Sequence, residues 1–296
     1  MANIRAYKKK IKSAKNIAKI TRAMQMVSAS KMKRAQEQAQ ASRAYSEGIA
    51  NFSRDLTTSM NFGDFIHPLL SIKKENINKK ELVLYIAPEK GLCGGLLSNL
   101  YRFVEKEFVV NKNDIKEDYV VIGKKAKTHV TRFGGNIVAE FSLGLSQPSY
   151  DNIPSVARFV REAYLTGNID KVSGIYMKFI STLEQEPVAK TLLPLDLVEV
   201  EKSEEKKEIL DNNFFVFEPF ASDIAASVLD RYLEVELYQL VLEAYASEQS
   251  ARMIAMKNAT DNANDLITDL TMGYNKERQA SITSEILDIS SGALVQ

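Results

Sequence analysis

The sequence predicts an α/β protein. Its two ends form one long antiparallel two-helix coiled coil, and an α/β domain is inserted between them. Three observations carry this. Residues 221–291 contain no proline and a single glycine, Gly273. Residues 2–56 likewise have no proline and one glycine, Gly48. Between these ends the hydrophobic period changes from helical steps to short apolar runs bounded by glycine.

In the C-terminal stretch, Ile224, Val228, Tyr232 and Val235, then Ile282, Ile286 and Ile289, recur at three- and four-residue steps. That spacing places them along one stripe of a helix. A helix of roughly 70 residues would be about 105 Å long, far beyond an ordinary globular helix. Charged residues interrupt it too often for a membrane span. In the N-terminal stretch, Ile17, Ile20, Met24 and Val27 form one apolar seam, and Tyr45, Ile49, Phe52 and Leu56 form another. The spacing slips between the two seams, which predicts a stutter in the heptad. Each long helix needs a partner for its stripe, and each end of the chain supplies the other's.

Charge is unevenly placed. The whole chain carries a net charge of +1. Residues 1–36, however, hold eleven Lys or Arg and no acid, the first being Glu37. Such a run repels itself along an isolated helix and predicts a negative surface beside it, either nucleic acid or an acidic protein loop. The single cysteine, Cys93, excludes an internal disulfide and fits a reducing compartment. Two histidines, His67 and His129, leave little for a metal site. No apolar run reaches the roughly 18 residues of a span, and the N-terminus lacks the apolar core of a secretory signal. The reading is of a soluble, intracellular chain.

The spacing divides the chain into an N-terminal helix over 1–58, a connection over 59–80, an α/β insert over 81–212 and a C-terminal helix over 213–296. Asn61, Gly63, Asp64 and His67-Pro68 mark the connection. In the insert, residues 82–87 read as a buried strand and 96–109 as a helix. A strand at 119–123, a helix at 127–133 and a strand from Asn136 follow. Pro154 suits the start of a helix at 155–165. Residues 172–180 and 190–198 read as two further strands. Alternating strands and helices predict a mainly parallel, Rossmann-like sheet.

Gly91-Leu92-Cys93-Gly94-Gly95 follows a strand and precedes a helix, where α/β folds bind phosphates. It lacks the Lys and Ser/Thr of a phosphate loop and the spacing of a dinucleotide fingerprint. A tight turn is the better reading. Cys93 has no local histidine to activate it. No catalytic constellation, cofactor site or metal site emerges, which points to a mechanical or scaffolding protein.

Three segments then identify a family. IKSAKNIAKITRAMQMVSASKMKRA near the start resembles the opening of the gamma subunit of bacterial-type F-type ATP synthase. GLCGG resembles that family's central motif. ASEQSARMIAMKNATDNANDLI with YNKERQASITSEILDISSGA resembles its C-terminal signature. The resemblance spans essentially the whole chain. It implies a non-catalytic rotor shaft that couples ion-driven rotation of the membrane c ring to the catalytic beta subunits. The implied partners are the alpha and beta subunits of the head, the epsilon subunit and the c ring. The implied location is peripheral, on the cytoplasmic face of the bacterial inner membrane. By position, Met24 is implied near the acidic loop of beta. Arg278, Gln279 and Thr283 are implied at the head's catch loops, and Phe215 and Glu218 at the foot on the c ring and epsilon. Leu97 stands where the family has asparagine, and the chloroplast cysteine insert is absent. The alternative function is a basic coiled coil binding nucleic acid.

Overall fold

The computed structural model describes residues 2–59, 68–70, 80–110, 116–142, 147–166, 169–195 and 221–293. They gather into two compact units. One comprises Met1–Ser30, Leu92–Gly94 and Arg252–Gln296; the other comprises Lys31–Gly91 and Gly95–Ala251. Helix α1 runs Ala2–Ser59 and helix α5 runs Ala221–Ala293, so each contributes to both units.

The second unit holds the sheet. Strands β1 (Lys80–Ile86), β2 (Lys116–Ile122), β3 (Asn136–Phe141), β4 (Lys171–Phe179) and β5 (Gln185–Leu193) lie in the order β3-β2-β1-β4-β5. The β1–β2, β1–β4 and β2–β3 pairs are parallel, and β4–β5 is antiparallel. The central strand is apolar on both faces, as a strand covered on both sides must be. Leu82, Leu84 and Ile86 of β1 join Val120 and Ile122 of β2 under helix α4 (Ile153–Leu165) and the first half of α5. On the other face Tyr85 and Tyr119 meet helix α3 (Lys124–Phe133) through His129 and Phe133. Helix α2 (Leu96–Val104), which continues into a π-helical turn at Glu105–Val110, contacts β4 and β5.

The first half of α5 is a core helix of this unit. Leu229, Leu233, Leu237 and Leu240 are at most 1% exposed and belong to the sheet's apolar core. Each such leucine contributes about 1.5–3 kcal/mol over an exposed one. The backbone makes room for it: a Cβ on Gly174 of β4 would lie 2.6 Å from Leu240. Helical spacing predicts only a coiled coil for this half, whereas its leucines enter the sheet's core. Between residues 231 and 250 only Arg231 is exposed, so this half is covered nearly all round although it carries several charged side chains.

The hairpin also corrects an expectation. Among the described residues the last strand is Gln185–Leu193, which starts five residues before the expected 190–198; positions 196–198 lie outside the described residues. Gln185-Glu186-Pro187 hides it, because polar residues and proline are tolerated only at a sheet edge. The turn is closed by Ser181 and Ile180 amides donating to the Glu184 carbonyl at 3.0 and 3.3 Å.

One buried carboxylate ties the sheet's amino end. Asp118 accepts from Lys80 Nζ at 2.6 Å and from Asn136 Nδ2 at 2.8 Å. Burial pushes its carboxyl up, but the hydrogen bonds from Lys80 and Asn136 and the positive charges of Lys80 and Lys116 outweigh this and hold it below the usual range. A depressed carboxyl stabilises the fold above its unfolded pKa of about 3.9, and that contribution is lost as pH falls through the folded value. Asp118→Asn should therefore cost about 1–3 kcal/mol at neutral pH in urea unfolding. The gap from the parent protein should narrow as the pH drops below about 4. A gap constant with pH would contradict the assignment.

Candidate partner-contact surface

In the first unit α1 and α5 run antiparallel. The Thr21 and Thr260 hydroxyls meet at 2.7 Å, and the Lys8 ammonium lies 5.7 Å from the centre of the Tyr274 ring. Ala14, Ala18, Thr21 and Ser28 are 3, 9, 9 and 2% exposed, and they form the buried stripe of α1. In the second unit Ala35 continues it against Tyr245 and Ala246, and the Ser46 hydroxyl donates to Glu236 at 3.4 Å. With half-buried Gln25, Met32, Ala39, Ser42 and Ile49 between and beyond them, the steps are an unbroken alternation of four and three. The heptad therefore has no stutter.

This overturns the expected seam. Ile17, Ile20 and Val27 are 53, 60 and 56% exposed, and Met24 is half-buried. The bulky stripe faces away from α5 and the small one faces it. Small residues let two helix backbones approach closely, and large ones at the same positions would hold them apart. The signal in the sequence is the heptad of alanine, serine and threonine, which hydrophobic size alone conceals. At the other end of the chain, Tyr232 and Val235 are buried, Tyr232 within the sheet's core, whereas Ile282 and Ile286 are 46 and 59% exposed.

The exposure at the end of α5 has a simple cause. Tyr7 of α1 lies against Gly273 of α5. Only five residues of α1 precede Tyr7, whereas α5 runs twenty residues past Gly273. Among the described residues about 15 of α5, roughly 22 Å, thus extend without α1 beside them. Gln279 and Thr283 lie on this stretch, Arg278 immediately precedes it, and all three are exposed. Spaced by four, Gln279 and Thr283 share one face, and the Thr283 hydroxyl donates to the Gln279 carbonyl at 2.9 Å. Met24 is not brought to them. The rung at Thr260 is 18 residues before Arg278, about 27 Å along the helix. Phe215 and Glu218 lie outside the described residues.

The basic end is also organised. Lys8, Lys12, Lys15 and Lys19 step by four, three and four and, with Ile11 and Tyr274, line a groove of about 470 Å³. Among the described residues no acid lies within ion-pair distance of these four lysines.

The glycine turn reads as structural. Gly94 has φ +59°, and a Cβ on it would lie 3.7 Å from that of Ala255. Leu92 has φ +63°, and Cys93 is buried. In α/β sheets of this order the ligand crevice opens at the carboxyl ends of the strands, at the switch between β1 and β4. Here the carboxyl end of β4 is held by the chain itself. Ser247 of α5 donates to the Met177 carbonyl at 2.9 Å, and Ser250 donates to the Thr182 carbonyl at 2.7 Å. Among the described residues no group of His, Cys, Asp and Glu is arranged to hold a metal, and no helix is long and apolar enough to cross a membrane. His129 is buried as a packing residue. One ring nitrogen meets the Tyr85 hydroxyl at 3.2 Å, the other meets Glu105 at 3.1 Å, and the ring stacks on Tyr101. Burial pushes the Tyr85 phenol far above its ordinary range.

The chain matches the family model described as ATP synthase over residues 3–294. It is 42% identical over 294 residues to an ATP synthase gamma chain of Dehalococcoides mccartyi, covering 99% of each chain. It is 39% identical over 295 residues to one of Legionella pneumophila, again covering 99% of each. Its fold is similar to a chain in the cryo-EM structure of Euglena gracilis mitochondrial ATP synthase that comprises OSCP, F1 and the c-ring. The TM-score there is 0.66 at 20% identity, covering 99% of this chain and 94% of that one. A chain of the Tetrahymena thermophila central stalk and c-ring gives 0.59 at 22% identity, covering 81 and 99%.

The seam assignment makes a direct prediction. Ala18→Leu should destabilise the chain by about 1–3 kcal/mol, because a bulky side chain has no room between the helices. Ile17→Ser and Ile20→Ser should each stay within about 0.5 kcal/mol of the parent. Urea unfolding of the three variants decides it, and a reversed order would restore the large-residue seam.

Proposed function

Because this chain belongs to the ATP synthase gamma-chain family, we propose that it is the central rotor shaft of an F-type ATP synthase. It couples ion-driven rotation of the membrane c ring to conformational change in the catalytic beta subunits, for synthesis and hydrolysis of ATP. The chain is not the catalytic subunit. ATP chemistry belongs to the head, and the shaft acts by presenting different contacts to each head conformation.

The observation that supports this most is the surface of the first unit. Its large apolar side chains, Ile17, Ile20 and Val27 on α1 and Ile282 and Ile286 on α5, are turned outward. Exposed apolar residues in contiguous stripes mark a surface made to be covered. A sleeve of alpha and beta subunits around the paired helices suits that surface. In this reading Met24 and the neighbouring basic residues face the acidic loop of beta. Arg278, Gln279 and Thr283 engage the head's catch loops, and Phe215 and Glu218 belong to the foot on epsilon and the c ring. The shaft is then a peripheral component at the cytoplasmic face of the bacterial inner membrane. A DNA-binding coil would call for cations along its whole exposed face, and the apolar stripe among the lysines argues against it.

Two experiments test the reading. Replacing Lys19, Arg22 and Lys31 with Glu should weaken association with the head at low salt, and the defect should shrink as salt rises. Undiminished assembly in low salt would remove the electrostatic part. Ala251→Pro interrupts α5 and costs a helix interior about 3 kcal/mol or more. In the reconstituted complex, ion-driven synthesis should fall much further than ATP hydrolysis. Equal losses would show that this helix does not carry the coupling.

A further inference from the structure

Gly273 is a poor residue for the interior of a 73-residue helix. The structure supplies a reason for it. A Cβ built on Gly273 would lie 2.9 Å from Cε1 of Tyr7, and 3.2 Å from both Cζ and the phenolic oxygen. Tyr7 is half-buried, and its ring rests on the bare backbone of α5. The next residue of each helix is also engaged, since Lys8 lies over the ring of Tyr274. Residues 7 and 8 of one helix thus interlock with 273 and 274 of the other.

The place of this contact matters as much as its fit. It is close to the last point at which α1 supports α5. Arg278 and Gln279 follow Gly273 by five and six residues, and Thr283 follows by ten. A helix without a neighbour bends about the point where its support ends. If the ring leaves its seat, support retreats along the seam towards Ile11 and Ala14, and the free lever lengthens by about one heptad, roughly 10 Å.

We infer that Tyr7 and Gly273 form a clamp that pins the first turns of α1 to α5 and thereby positions Arg278, Gln279 and Thr283. The inference rests on the reading of those three residues as head contacts. In this role Tyr7 and Gly273 act as positioning residues, through their contact with each other.

The test is a double-mutant cycle on the full chain, followed by hydrogen–deuterium exchange over residues 2–10 and 273–285. Tyr7→Ala should speed exchange about tenfold in both segments. Gly273→Ala alone should also speed it, by displacing the ring. With Tyr7 already removed, Gly273→Ala should instead slow exchange, because alanine favours the helix and no ring remains to displace. Independent effects in the cycle, or no response to Gly273→Ala alone, would overturn the clamp. In the assembled complex Tyr7→Ala should lower synthesis relative to hydrolysis, and Tyr7→Phe, which keeps the ring on its seat, should restore the ratio. An unchanged ratio in Tyr7→Ala would overturn the positioning role. Arg278→Ala in the same assay separates the two ideas. If it leaves coupling intact, the head-contact reading fails and the positioning claim falls with it, whereas a failed cycle beside a responsive Arg278→Ala overturns the clamp alone.

Discussion

The paired helices depend on a seam of side chains too small to hold them apart. Ala14, Ala18, Thr21 and Ser28 let α1 lie close against α5. Each buried methyl or methylene contributes only about 0.8 kcal/mol, against about 1.5–3 for a leucine. The first unit therefore draws on close contact and on the Thr21–Thr260 hydroxyl pair more than on apolar volume. The second unit is built the other way, with leucines of α5 sunk into the sheet's core. One helix thus spans two regimes of packing. The large apolar side chains that a seam of this kind does not use are free to face outward.

The α/β unit shows the complementary economy. Its strand order is one that commonly holds a nucleotide at the β1–β4 switch. Here Ser247 and Ser250 spend that place on hydrogen bonds to β4 and the hairpin turn. The strand edge that elsewhere positions a cofactor instead positions α5. The unit packs the first half of α5 into its core, and the described residues assigned to function lie on the two long helices.

The fold class was legible from the sequence because proline and glycine are so unevenly distributed. Two proline-free ends admit little besides long helices, and short buried runs such as Leu82 to Ala87 read as parallel strands. The helix faces were less legible. Hydrophobic size identified Ile17 and Ile20 as seam residues, yet a close-packed seam selects small residues, so size pointed to the wrong side of α1. Ile282 and Ile286 have the right period for a seam but lie where α1 has already ended, and only the register, fixed by Tyr7 against Gly273, reveals this. Strand β5 was misplaced because edge strands tolerate Pro187 and charge. Arg278, Gln279 and Thr283 came from family resemblance, since nothing in three polar residues on a long helix distinguishes them from ordinary surface.

The pairing of the two chain ends also dictates a schedule. Thr21 and Thr260 are separated by 239 residues. At ribosomal speeds of about 5–20 residues per second, α1 waits on the order of ten to fifty seconds for α5 to be made. During that interval its small-residue stripe and its outward isoleucines are both uncovered. The sheet cannot be completed early either, because its core includes Leu229 to Leu240 of the same late helix. Synthesis thus leaves almost the whole protein waiting on its last quarter. Such long-range closure is slow and exposes apolar surface. A shortened α5 would compromise both units together, because each includes part of that helix.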